Sequence, residues 1–199
     1  MKLLNLGCGE VLPGEPWINA DYRCDRTDRP SNVVIFNMRE SVWPLEDEEF
    51  DGIMAWHIFE HFDAVELQDI LCQCHRILKP GGVMRVGVPD ASHSRSYRDV
   101  DCKMYAKEVF GEENSHPDFK TFMGWALFLY REHKQIFTED ALWCTLVNDE
   151  LPRNGSGFKP ENVYRVHPNT TARPGHYCSS KLLQLENRRA FSLIMECYK

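Results

Sequence analysis

The apolar and polar positions of this chain change rhythm several times before residue 91. Leu3–Leu6, Trp17–Ala20 and Val33–Phe36 are short apolar runs bounded by polar or turn residues, and each predicts a short buried strand. Phe50–Ala55 predicts a fourth. From Ala64 the apolar residues Val65, Leu67, Ile70, Leu71, Ile77 and Leu78 fall mainly three and four apart. That spacing predicts a helix, with Asp63 placed as its cap. Lys79-Pro80-Gly81-Gly82 ends the helix, Val83–Val88 predicts a fifth strand, and Pro89-Asp90 ends that strand. Strand, helix and strand with such a break between them imply a right-handed crossover and a parallel sheet.

After residue 91 the pattern is coarser. Ser92–Asp101 is polar and predicts a loop, while Lys103–Phe110 and Phe119–Glu132 predict helices. Thr138–Leu146 predicts a helix capped by Thr138, with Glu139 and Asp140 in its first turn. Leu151–Lys159 predicts a turn, and Val163–Val166 and Ser192–Tyr198 the last two strands. The expectation is one α/β domain spanning 1–199, its sheet mainly parallel, with a helical region over about 91–150 forming part of a substrate lid.

Composition narrows the function classes. A chain of 199 residues with 43% hydrophobic and 12% aromatic content can bury a full core. Its formal charge of -7 and lack of a Lys/Arg-rich run argue against nucleic acid or a membrane surface as partner. No apolar stretch approaches the roughly 18–20 residues of a membrane span, and no secretory leader is visible, so a cytoplasmic location is expected. The eight cysteines (Cys8, Cys24, Cys72, Cys74, Cys102, Cys144, Cys178, Cys197) are then expected as thiols, several of them small buried hydrophobes. Cys72-Gln73-Cys74 has no second pair at finger spacing, so zinc is not expected there.

The chemistry begins where the first two strands end. The first stops at Gly7-Cys8-Gly9 and the second at the carboxylate of Asp21. Glycines there allow a ligand close to the backbone, and an acidic strand end accepts hydrogen bonds from ribose hydroxyls. Only seven residues separate Gly9 from Trp17, and two are prolines (Pro13, Pro16). The helix on which dinucleotide sites seat a pyrophosphate has no room, which disfavours NAD and FAD. S-adenosylmethionine, with a ribose and no phosphate, fits better.

The segments L-L-N-L-G-C-G, W-I-N-A-D, V-V-I-F-N-M, W-P-L-E-D-E-E-F-D-G-I-M-A-W-H-I-F-E-H-F and I-L-K-P-G-G-V-M-R-V-G-V-P-D together resemble class I S-adenosylmethionine-dependent methyltransferases. The methyltransferase type 11 group is the most similar. Residues 3–90 resemble it closely and 131–146 loosely. The resemblance implies a Rossmann-like sheet with helices on both faces, here with a shortened first crossover and a helical insertion after the fifth strand. It implies a cofactor set of Asn5, Gly7, Cys8, Gly9, Asp21, Asn37, Met38 and His57. Within that set Gly7 and Gly9 would lie against the methionine part and Asp21 would take the ribose. Asn37 and Met38 would flank the adenine, with His57 near the sulfonium. The catalytic candidates are His57 and Asp90, both at strand ends. The chain departs from the group at Asn5, where an acidic residue is common, at Val11, where a third glycine is common, and at Asn37, where Asp is common.

The implied reaction is in-line methyl transfer to a small-molecule or sugar-type acceptor. Holding the reactants collinear can supply about 7–11 kcal/mol of the barrier. A cofactor-binding interaction protein that does not methylate is the alternative, motivated by Asn5, Val11 and Asn37. A third reading takes His57, Glu60 and His61 as H-x-x-E-H, a zinc hydrolase motif. It requires all three on one helical face, whereas the segment follows a strand, so no metal is expected. Glu60 and His61 are read equally well as tying loop backbone together. His133 and Lys134 could close over a substrate or cap a solvated helix end, and the aromatic stripe from Phe119 to Tyr130 more often marks core packing.

Overall fold

The computed structural model describes residues 1–22, 30–91, 133–147, 157–185 and 192–199. The helices expected within 103–132, and with them most of the expected lid, lie outside the described residues, as do 151–156 of the expected turn.

Among the described residues seven strands form one sheet: β1 (Leu3–Leu6), β2 (Trp17–Ala20), β3 (Val33–Val34), β4 (Phe50–Trp56), β5 (Leu78–Pro89), β6 (Val163–Val166) and β7 (Ser192–Tyr198). Their order is β3-β2-β1-β4-β5-β7-β6. β1 pairs in parallel with β2 (Leu3↔Trp17) and with β4 (Leu3↔Gly52), and β4 pairs in parallel with β5 (Ile53↔Met84). β7 runs antiparallel to both β5 and β6. The winding reverses between β1 and β4, and the carboxyl ends of strands beside such a reversal border the ligand crevice of open α/β sheets.

α1 (Ala64–Ile77) starts where the sequence places it. Asp63 accepts from the amides of Val65 and Glu66 at 3.0 and 2.9 Å, and the Glu66 carboxylate accepts from the Asp63 amide at 3.0 Å. This reciprocal box satisfies amides that have no partner inside the helix. The apolar stripe Leu67, Ile70, Leu71, Cys74 and Ile77 is buried on one face of the sheet, joined by Leu142 and Leu146 of α2 (Glu139–Val147). Thr138 caps α2 through the Ala141 amide at 3.2 Å. On the other face Leu3, Met54, Trp56 and Ile194 pack with Cys178 and with Leu182 of the short α3 (Ser179–Leu182). Helices therefore cover both faces. Trp56 lies so close over Gly87 that a Cβ there would clash with its indole ring.

Three strands differ from their expected bounds; β4 runs one residue further, to Trp56. β3 ends at Val34, because Ile35 is exposed and Phe36 turns inward against Trp43, ring centroids 5.1 Å apart. β5 begins at Leu78 rather than Val83. The Lys79–Gly82 stretch stays in the sheet because Leu78 pairs with Phe50 and the Lys199 backbone bonds Gly81 and Gly82 at 2.9 and 3.1 Å. The first crossover, residues 7–16, contains no helix.

Candidate functional site

Gly7 and Gly9 follow β1 with φ of +71° and +50°, a region that side chains other than glycine's rarely adopt. A Cβ on Gly7 would sit 2.7 Å from Ile58 Cγ1, whereas one on Gly9 meets nothing within 4 Å. The turn is therefore closed behind Gly7 and open in front of Gly9. The Gly7 and Cys8 amides bond the Ala20 carbonyl at 2.8 and 3.1 Å, and the Gly9 amide donates to Asp21 Oδ2 at 2.9 Å. Glycine turn and carboxylate meet at the adjacent ends of β1 and β2. Cys8 is buried in this turn.

Asn5 is buried on β1 and its carboxamide nitrogen is committed to the Val11 carbonyl (2.8 Å) and Asn19 Oδ1 (3.1 Å). Asn19 donates to the Pro13 carbonyl at 3.0 Å, and Asn32 to the Pro13 and Trp17 carbonyls, both at 2.9 Å. Three carboxamides thus shape the short crossover. Asn5 acts on the loop that surrounds the glycines. Asn37 is exposed beyond β3, its Oδ1 accepting from the Arg39 amide at 3.1 Å, while the Met38 side chain is buried in the main core.

His57 directly follows β4 with φ of +53° and donates its amide to the Gly87 carbonyl at 2.8 Å. Its Nε2 lies 2.8 Å from Ser192 Oγ and its Nδ1 3.5 Å from Glu60 Oε1. The Glu60 side chain is buried. A carboxylate on one ring nitrogen and a hydroxyl on the other fix the imidazole in place. Asp90, at the end of β5, is buried and bridges in parallel to Phe137.

The segment 133–137 runs across the ends of β4 and β5. The Lys134 and Gln135 amides bond the Glu60 carbonyl at 2.7 and 3.2 Å, Gln135 Nε2 bonds the Phe62 carbonyl at 2.7 Å, and the Ala91 amide bonds the Phe137 carbonyl at 2.9 Å. His57, Glu60 and His61 do not share a helical face: His57 directly follows a strand and Phe59–His61 is a 3₁₀ turn. The zinc hydrolase arrangement is absent from them. Ser192 and Ile58, both against the site, carry no local motif that marks them. Ser192 is found only once β7 is paired with the end of β5.

The donor set suits a ribose-bearing cofactor without phosphate: a carboxylate at the end of β2, a positive-φ turn open at Gly9, and a helix-free crossover.

Residues 4–86 match the family model described as a methyltransferase domain. No curated protein matches the chain. Among solved structures, a SAM-dependent methyltransferase from Archaeoglobus fulgidus is similar at 16% identity and a TM-score of 0.56, over 100% of this chain and 86% of that one. A putative methyltransferase from Bacillus halodurans is similar at 15% identity and a TM-score of 0.50, over 100% and 92%. A putative O-methyltransferase from Nostoc punctiforme is similar at 12% identity and a TM-score of 0.55, over 100% of this chain and 51% of that one. These likenesses bear on the fold.

Proposed function

We propose that this chain, a class I S-adenosylmethionine-dependent methyltransferase with its methyltransferase domain over residues 4–86, methylates a small-molecule or sugar-type acceptor. S-adenosylmethionine is the cofactor, and when bound it supplies an electrophilic methyl group on a sulfonium. The observation that carries the site assignment is the Gly9 amide on Asp21 Oδ2 at 2.9 Å, which joins the open glycine turn to the ribose-accepting carboxylate.

In this reading Gly7 and Gly9 let the methionine part lie along the backbone, and Asp21 receives the ribose hydroxyls. Asn37 and Met38 mark the adenine side. His57 faces the acceptor at the end of β4 and can take its proton at Nε2, directly or through the Ser192 hydroxyl 2.8 Å away. Asp90 stands at the neighbouring strand end. The carboxylate–imidazole–hydroxyl series Glu60–His57–Ser192 favours a catalytic role over a purely cofactor-binding one. A small or sugar-type acceptor is supported by the formal charge of -7, which suits no polyanion.

No helix among the described residues is long and apolar enough to cross a membrane. A cytoplasmic setting is part of the proposal, supported by cysteines that stand as thiols and not as disulfides, Cys74, Cys144, Cys178 and Cys197 among them.

Titration calorimetry with S-adenosylhomocysteine tests the site. The wild type is expected to bind one equivalent and Asp21→Ala to lose at least about tenfold in affinity, the loss of a charged hydrogen-bond acceptor. Equal affinity in the two proteins refutes the assignment.

A further inference from the structure

We propose that Glu60, His61 and His133 form a binding site for one divalent transition-metal ion of the zinc class. The site lies beside the cofactor crevice, shares Glu60 with the His57 series, and does not depend on which acceptor is methylated. One ligand atom from each of the three residues lies within 4.8 Å of the other two. The His61 and His133 rings meet edge to face, centroids 4.7 Å apart and planes at 81°. Glu60 is buried, with 1% of its surface exposed, and both histidines are half-buried.

The ligand chemistry is that of zinc: two neutral imidazoles and a carboxylate, with at least one position left for water or another oxygen ligand. Bonds of about 2.1 Å at tetrahedral angles put ligand atoms about 3.4 Å apart, so the three groups must close by up to about 1.4 Å. The backbone is already fixed for that closure. The Lys134 and Gln135 amides on the Glu60 carbonyl hold His133 against the 3₁₀ turn that carries Glu60 and His61.

The arrangement also revises the H-x-x-E-H motif. Two of its three residues are kept, and His57 is replaced by His133 from the segment beside the same strand ends, so the expectation of no metal, drawn from the motif's strand-to-loop context, gives way to a proposed site drawn from tertiary contact. His57 remains beside the site, with Nδ1 3.5 Å from Glu60 Oε1.

The experiment uses the full chain, freed of metal with a chelator and titrated with Co²⁺, then with Zn²⁺. One equivalent of Co²⁺ is expected, giving visible d–d bands of a four- or five-coordinate ion and no thiolate charge-transfer band, and Zn²⁺ should displace it. His61→Ala and His133→Ala should each weaken binding by at least about tenfold, the scale on which even outer-shell ligands matter. His167→Ala, a histidine elsewhere on the chain, should leave binding unchanged. Circular dichroism confirms that each variant is folded, and S-adenosylhomocysteine calorimetry on the same samples reads the cofactor site separately. Absence of stoichiometric Co²⁺ binding, unchanged affinity in both ligand variants, or a thiolate band overturns the site.

Discussion

Ile58 closes against Gly7 so tightly that a Cβ on the glycine would lie 2.7 Å from Ile58 Cγ1. The contact ties the turn after β1 to the turn after β4, the two strand ends between which the sheet reverses its winding. It also sets the first prediction. Gly7→Ala adds a clash to a backbone at φ +71°, which costs about 1–3 kcal/mol in such strain alone. The midpoint of urea denaturation should fall, and S-adenosylhomocysteine affinity should fall with it. Gly9→Ala, where the Cβ meets nothing within 4 Å, should lose affinity with a smaller loss of stability.

Removing the base side of the site should slow turnover while leaving the cofactor bound. His57→Ala is expected to reduce the rate of S-adenosylhomocysteine formation, measured against a library of hydroxyl acceptors, by about 10²–10⁴-fold. Ser192→Ala should reduce it less. Equal rates in wild type and His57→Ala would remove the imidazole from the mechanism.

Arg85 of β5 and Glu196 of β7 form an ion pair at 2.6 Å with both side chains fully buried. The other carboxylate oxygen accepts from Thr171 Oγ1, the Ala172 amide and the Tyr198 hydroxyl at 2.9, 2.8 and 2.7 Å. Breaking a buried pair strands a charge, so Glu196→Ala should cost about 3–5 kcal/mol in urea unfolding. The double change Arg85→Met with Glu196→Leu should cost less than the single one.

Acid should loosen the molecule through Glu66. Burial pushes this carboxyl up, but the Lys134 ammonium, the Asp63 amide and Arg39 outweigh it and bring the pKa from 4.5 to about 2. A carboxylate with a depressed folded pKa contributes stability that is present above 4.5 and lost as pH falls toward about 2. Across that window the wild type should lose stability faster than Glu66→Gln, followed by thermal unfolding at a series of pH values.

Much of this fold is written in local pattern. Val163–Val166 and Ser192–Tyr198 are strands with the bounds their apolar runs mark, and Asp63 caps α1 as its position requires. Lys79-Pro80-Gly81-Gly82 misleads because its turn chemistry is local while its pairing, with Phe50 and with the Lys199 backbone, is not. The site divides along the same line. Gly7, Gly9 and Asp21 are legible because strand ends and glycines lie close together in sequence. Ser192 on His57, and His133 on His61, come together only when the sheet is assembled.

The short crossover depends on three neutral carboxamides staying neutral. Asn5, Asn19 and Asn32 each aim an amide nitrogen at a backbone carbonyl of the loop or its flanks, at 2.8 to 3.0 Å. Hydrolysis of any one of these carboxamides replaces a donor with a negatively charged acceptor facing another acceptor. Asn5→Asp or Asn19→Asp should therefore open this loop from within and lose cofactor affinity before the rest of the sheet gives way.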